Sequence, residues 1–486
     1  MKKIILDHIA PRKRVLAGCA LVLLLLCILR AQDTTKSKAK AAVSYPQEIS
    51  KITFVVAGDV IPHQSVVEAA AAQEKAQTPK VVQASPPAEP APLEAKDAAA
   101  SQTASAQTAS ADDHGGWDLL FSSVADIFRQ ADFGFVNLET PVAPKHSQGT
   151  KAFQFDAPIA LLQALKFSGV KVVSFANNHV LDQGQAGFAE SLDHLREEGI
   201  LFVGSGATEE DAWKPLILEK NGIKVGWLGM TRHLNGRRNP DKNEEPHVAF
   251  YPYPGDTGES KGAPARDEAG VLEAIKAARA QCDLLLVSIH WGVEYATAPL
   301  PQDVELAHNM LEAGAGAVIG HHPHVLQPIE TYRTQDQRNT VIIYSLGNFL
   351  SNQSRNYVEG LMPDKTGDPR DSLMVKFAVV KKDYGPAGVQ VELGQMGILP
   401  AWGENNHLQV QSGATKIACI RPVLMDREIP RLQARVDELT RLGDQLSAEQ
   451  KKELMQISSQ LELLKHRREL LLARTGDEYL IAPPSP

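Results

Sequence analysis

Cysteine is scarce in this chain, with four among 486 residues. Cys19 and Cys27 fall in an apolar N-terminal run, Cys282 opens a predicted core strand, and Cys419 lies near the end of the main domain. None is spaced as a thiolate metal site and at most one disulfide is available, so buried free thiols are the expectation. An excess of positive charge is missing too. Lys and Arg number 50 against 58 Asp and Glu, a net charge of -8. That argues against a broad basic face for nucleic acid, while leaving open an anionic substrate held through metals. The apolar run Val15 to Leu29 is about fifteen residues, short of the ~20 that span a bilayer. Lys2, Lys3, Arg12, Lys13 and Arg14 precede it and Arg30 closes it. It reads as a cleaved signal peptide or a short signal anchor. The basic flank would stay in the cytoplasm and the rest would lie outside, in the periplasm or at the cell surface, membrane-anchored or secreted.

What the chain does have is a hydrophobic content of 43%, enough for one large core with appendages. Several apolar runs break into polar, ligand-type residues where strands should end. Ile52 to Ala57 leads to Gly58-Asp59, and Phe133 to Val136 leads to Asn137-Leu138-Glu139. Val170 to Phe175 leads to Ala176-Asn177-Asn178-His179, and Leu284 to Ile289 to His290-Trp291-Gly292. Ala315 to Ile319 leads to Gly320-His321-His322-Pro323-His324, a histidine cluster that a core has no reason to keep. Near-continuous Val/Ile/Leu runs mark strands covered on both faces, and in such α/β sheets ligands sit beyond the carboxyl ends of the strands. The pattern thus predicts an Asp, a Glu, an Asn and several His converging at one sheet edge.

Helical spacing over Leu119–Arg129, Ala157–Phe167, Ala186–Glu198, Glu268–Ala280 and Val304–Glu312 alternates with these runs, as crossover units require. Asn221-Gly222 joins two short strands in a hairpin, and Val341–Ser345 and Leu373–Val380 add further strands. The organisation expected is a signal or anchor segment with linker at 1–50, a main domain at 51–424, and a helical hairpin at 425–476. Residues 69–112, almost all Ala, Gln, Pro, Ser, Thr and Lys, read as a disordered, dispensable insertion. In the hairpin, Leu432, Val436, Leu439, Leu454, Ile457, Leu461 and Leu464 repeat at three and four, and Ser447 with Gln450 forms a capping box.

Six blocks in order carry a resemblance: Gly58-Asp59; Asn137 to Pro141; Ala176 to His179 with Asp182 and Gly184; His290-Trp291-Gly292 with Glu294-Tyr295; Gly320 to His324; and Ser345 to Phe349. Over Lys51 to about Val380 the chain resembles the CapA family of poly-γ-glutamate and capsule biosynthesis proteins. The resemblance implies a calcineurin-like metallophosphatase type of fold, a four-layer α-β-β-α sandwich. It implies two divalent metal ions, Mn, Fe or Zn by donor type. Asp59 and His324 would serve one ion, Asn178, His290 and His322 the other, with Glu139 bridging. Metallophosphatases usually have a His two residues after the first Asp, where this chain has Ile61. Either His63, two further on, substitutes as a ligand, or the first ion is weakly held or absent. His179 would be the general acid, its tautomer fixed by Asp182. Arg232 and Arg355 would meet an anionic substrate, and Trp291 and Tyr295 would pack at the rim or stack on it. Two functions follow as expectations. One is an extracytoplasmic metal-dependent hydrolase or transferase acting on an anionic polymer or phosphoester. The other is a non-catalytic, membrane-associated component working with other polymer synthesis and export proteins.

Overall fold

The computed structural model describes residues 45–77, 114–254 and 264–484. The signal or anchor segment, with Cys19 and Cys27, and residues 78–112 of the insertion lie outside the described residues. Among the described residues no helix is long and apolar enough to cross a membrane, and Cys282 and Cys419 are free thiols.

In chain order the strands are β1 (Gln47–Val60), β2 (Phe133–Leu138), β3 (Val170–Ser174), β4 (Leu201–Val203), β5 (Ser205–Gly206), β6 (Leu216–Lys220), β7 (Ile223–Thr231) and β8 (His247–Val248). They continue with β9 (Leu284–His290), β10 (Ala315–His321), β11 (Ile329–Arg333), β12 (Asn339–Ile343), β13 (Asn348–Leu350), β14 (Asp371–Asp383), β15 (Val389–Leu393), β16 (Gly397–Asn405) and β17 (Ile420–Leu424). One mixed sheet runs β17-β16-β14-β1-β2-β3-β4, with β13 also paired to β1 and β15 to β14. The other runs β11-β12-β10-β9-β7-β6. The strands that end at the site are parallel within each sheet: β13, β1, β2 and β3 in the first, and β7, β9 and β10 in the second. The β6–β7 hairpin turns through Asn221 and Gly222, both at positive φ (56° and 70°), as an Asn-Gly turn requires.

Alternation along the strands divides the apolar residues among three cores. Phe54, Val56, Phe135 and Val172 of the first sheet meet Trp227, Leu286 and Ile319 of the second, with the Phe135 and Trp227 rings stacked at 4.3 Å. The opposite side chains of the first sheet, Val55, Ala57 and Val173, pack with Leu161, Leu165, Phe188 and Leu192 of the helices Ile159–Ser168 and Gly184–Glu197. Those of the second, Leu285, Val287 and Val318, pack with Val271, Ile275, Leu306 and Met310 of the helices Glu268–Arg279 and Pro301–Glu312. Each large apolar side chain buried in this way contributes about 1.5–3 kcal/mol. The chain then forms the helices Met425–Leu442 and Ala448–Thr475, the second opened by the Ser447–Gln450 capping box. Leu432, Leu461, Leu464 and Leu471 enter the same core as the inter-sheet residues.

Two elements depart from the sequence pattern. The helix expected over Leu119–Arg129 is two short helices, Trp117–Phe121 and Ala125–Arg129. Ser122 donates back to the Leu119 carbonyl oxygen at 2.9 Å, competing with helical continuation, and Ser123 next to it donates to the Pro422 carbonyl oxygen at 2.5 Å. The insertion also starts later than its composition indicates. The helix Gln64–Gln77 includes its first residues, with Ala69 and Ala70 fully buried and Gln73 donating to the Ala418 carbonyl oxygen at 2.9 Å. Alanine is a weak signal because it suits both a close-packed helix and a solvated spacer.

The described residues of the smaller of the two compact units, 45–47 and 383–389, include a turn in which the Tyr384 N–H donates to the Gly388 carbonyl oxygen.

Candidate metal centre

Strand register lines up the polar residues that end the apolar runs. Asn348, Asp59, Asn137 and Ser174 are neighbours across the first sheet, and Thr231, His290 and His321 across the second. Two glycines let a neighbouring segment lie directly on these strand ends. A Cβ on Gly58 would sit 1.9 Å from the Gly347 carbonyl oxygen, and one on Gly320 would sit 2.0 Å from that of Tyr344. The same segment supplies Asn348, whose amide donates to the His324 and Pro369 carbonyl oxygens at 3.2 and 2.9 Å.

Asp59 and Glu139 are both fully buried, yet their surroundings differ. Asp59 Oδ1 lies 2.9 Å from the Asn137 amide and 3.1 Å from His321 Nδ1, and Oδ2 lies 3.3 Å from His324 Nδ1. Burial works to raise its pKa, but the hydrogen bonds from His321 and His324 outweigh it and hold the carboxylate well below the usual range. Glu139 Oε2 accepts from Asn137 at 3.3 Å, while Oε1 has no hydrogen-bond partner. Oε1 faces three imidazole nitrogens, Nε2 of His290 and of His324 at 3.8 Å and of His179 at 3.9 Å. Burial, then the charge of Asp59, pushes Glu139 well up.

His290 Nε2 lies 2.9 Å from Asn178 Oδ1, and burial keeps this ring neutral. Asn178 in turn donates to Asn235 Oδ1 at 3.2 Å. His322 has a buried Nδ1 without a hydrogen-bond partner and stacks on His233 at 4.3 Å. Burial, then His233, depresses its pKa. His179 Nδ1 lies 2.7 Å from Asp182 Oδ2, its ring against Phe155 at 4.4 Å. Asp182 Oδ2 also accepts the Phe155 N–H at 2.7 Å.

Two donor groups, each within 4.8 Å, share one residue: Asp59, Glu139 and His290, and Glu139, His322 and His324. These residues fit divalent ions. An orphaned carboxylate oxygen facing imidazole nitrogens too far away to hydrogen bond is the spacing of donors about 2 Å from a common ion.

The structure therefore brings together Asp59, Glu139, Asn178, His179, Asp182, His290, His322 and His324. His63 stands apart from both donor groups. Its Nδ1 lies 3.3 Å from the Ile61 carbonyl oxygen and 3.3 Å from the backbone N of Asn352, its ring lies against Phe155, and burial lowers its pKa to about 4. Arg232 does not face the centre's mouth. It is buried, paired with Asp303 at 2.9 Å, and covered by the rings of Tyr251 and Tyr253. Trp291 is likewise buried, its Nε1 donating to the Tyr344 carbonyl oxygen at 3.0 Å. Arg355 is exposed, and its charge is among those acting on His63. The sequence reading gave no roles to Asn137, His321, His233 or Asn235. Asn137 and His321 stand beside residues that it singled out; nothing local marks His233 or Asn235, which reach the site from the loop after β7. A cavity of about 490 Å³ beside that loop is lined by Leu181, Gly184, Gln185, Gly236, Arg237 and Arg238.

Fold and site define an α/β protein with a buried carboxylate–imidazole centre at the carboxyl ends of its parallel strands. The model of the bacterial capsule synthesis protein PGA_cap family matches residues 53–353, and the chain belongs to that family. It is similar to the PGA biosynthesis protein CapA of Bacillus subtilis (strain 168), 32% identical over 273 residues, 56% of this chain and 63% of that one. It is also similar to the capsule biosynthesis protein CapA of Bacillus anthracis, 30% identical over 246 residues, 49% of this chain and 55% of that one. The matched region thus spans less than two thirds of either relative.

Proposed function

We propose that this protein is a metal-dependent hydrolase or transferase of capsule or poly-γ-glutamate synthesis, acting on an anionic polymer or phosphoester. The observation that carries the reading is Glu139 Oε1, buried, unpartnered and turned toward three imidazoles. Packing elsewhere would leave such an oxygen at a cost of about 1–3 kcal/mol with no return. The α-β-β-α layering, as in calcineurin-like metallophosphatases, supports the same reading.

Divalent ions, Mn, Fe or Zn by donor type, would supply Lewis-acid polarisation of a phosphoryl or carbonyl oxygen and offset its negative charge. Asp59 and Glu139 provide the carboxylates, and Asn178, His290, His322 and His324 complete the donor sets. Asn137 orients both carboxylates through one amide. Asp182 accepts from His179 Nδ1–H, and with the ring doubly protonated Nε2–H is the proton that would pass to a leaving oxygen, which returns the ring to the neutral form. Arg355 and the arginines of the cavity beside the His179 loop suit an anionic substrate. The basic-flanked apolar run Val15 to Leu29 supports a site of action outside the cytoplasm.

The test is metal analysis of the purified protein, together with a hydrolysis screen over phosphoesters and γ-glutamyl peptides. Metal-dependent turnover, abolished in Glu139→Gln, is expected. Bound metal with no turnover on either class would turn the assignment to a non-catalytic component of a polymer synthesis and export complex.

A further inference from the structure

Non-glycine residues with left-handed backbone gather at the centre. Asn235, Tyr295, His322 and His324 have φ of 49°, 64°, 97° and 59°. Three of them have an evident purpose there: His322 and His324 join the donor groups, and Asn235 accepts from Asn178. Tyr295 is the one to explain. A bulky aromatic residue at positive φ is strained, where glycine would be at ease.

Packing does not compensate Tyr295. The residue is 52% exposed, and Val293 beside it is 50% exposed. Its conformation is imposed from below. Trp291 is anchored under Tyr344, Gly292 turns at φ 86°, and the Tyr295 N–H donates to the Pro323 carbonyl oxygen at 2.8 Å. That last bond ties the residue to the His322-Pro323-His324 turn. The Tyr295 ring comes to rest 6.1 Å from that of His324, and its hydroxyl has no hydrogen-bond partner among the described residues. A strained side chain, half in solvent, with a free donor beside a metal-ligand histidine, is arranged for something that arrives from outside. Glu294, exposed on the same turn, adds negative charge that opposes an anion, so the attraction has to come from the cations of the centre, and an uncharged phenol donor suits an anionic oxygen that they hold.

We propose that Tyr295 is a ligand-positioning residue whose hydroxyl donates to an anionic oxygen of the substrate on the His324 side of the centre. This rests on the proposed function, since it needs an anion at that centre. The test uses the full chain loaded with manganese, and inorganic phosphate as the probe, by calorimetric titration. Tyr295→Phe should bind phosphate roughly tenfold more weakly, the loss of one hydrogen bond to a charged group, with metal content and melting temperature unchanged. Tyr295→Gly should lose as much affinity while melting higher, because the strain is relieved. Equal phosphate affinity in Tyr295→Phe and the unaltered protein would overturn the proposal, as would a lower melting temperature in Tyr295→Gly. An unaltered protein that holds manganese but no phosphate would overturn it as well; metal content, read separately, decides the fate of the centre itself.

Discussion

Asp59 and Glu139 show at the residue scale how one buried site treats two carboxylates in opposite ways. Asp59 is hydrogen-bonded on both oxygens and is held well below the usual carboxylate range, whereas burial beside Asp59 pushes Glu139 well up. Substitution separates the roles. His290→Ala and His322→Ala should lose metal along with activity, because each removes a donor. His179→Ala should keep its metal and slow turnover by roughly a hundredfold or more. Metal analysis beside rate measurements checks this, and loss of metal in His179→Ala would make that residue a ligand. His63 gives a pH signature. Its pKa of about 4, against the ordinary 6.5, means that the unfolded chain takes the proton first as pH falls. The stability it contributes is therefore full above 6.5 and is lost as pH falls toward 4. Between pH 7 and 5 this amounts to about 2 kcal/mol, and a His63→Phe variant should lose correspondingly less in urea unfolding over that interval. The convergence of Asp59, Glu139, Asn178, His290, His322 and His324 was legible in the sequence because they follow the points where apolar runs stop. The placements of His63, Arg232 and Trp291 were not, since Asn352, Asp303 and Tyr344, their partners, come from distant parts of the chain.

Elements transmit the site's geometry to the rest of the fold. Arg467, on the helix Ala448–Thr475, is fully buried and hydrogen-bonds to Asp371 and Asp368 while donating to the Asp364 carbonyl oxygen. That holds the 364–371 segment, whose Pro369 carbonyl oxygen accepts from Asn348 beside Asp59. Burial opposes the charge on Arg467, but the hydrogen bond to Asp371 and the charges of both aspartates raise its pKa further. Arg467→Ala would leave Asp371 buried without its hydrogen-bonded cation, while Arg474 still meets Asp368 at 2.9 Å, so a loss of about 3–5 kcal/mol is expected in equilibrium unfolding; a loss below about 1 kcal/mol would mean that the network is solvated. Gly58→Ala should also destabilise the protein and lower metal affinity, because its Cβ would collide with backbone rather than with a movable side chain. Strand positions and the Asn221-Gly222 hairpin were legible from apolar runs and turn chemistry. The break within residues 119–129 was not, because an isolated Ser pair inside a helical pattern does not say that one of its hydroxyls meets Pro422, far along the chain.

Across the whole molecule, the two sheets meet so that their strand ends supply one centre, and the last two helices complete the core between them. Truncation before Met425 would expose the apolar surface that Leu432, Leu461, Leu464 and Leu471 cover, and the shortened chain is expected to aggregate on expression. The alternation of helix and strand made the fold class readable, and six ordered blocks made the family readable. The contribution of the C-terminal helices to the core was not, since a leucine repeat does not name its partner. The account's central claim is that the buried carboxylates and imidazoles hold divalent ions, and the metal-to-protein ratio of the purified chain after incubation with Mn, Fe or Zn tests it most directly. About two ions per chain are expected, falling sharply in Glu139→Gln, the variant that removes the shared donor. A folded protein that retains no metal under any of these conditions, or a Glu139→Gln variant that retains as much as the unaltered chain, would contradict it.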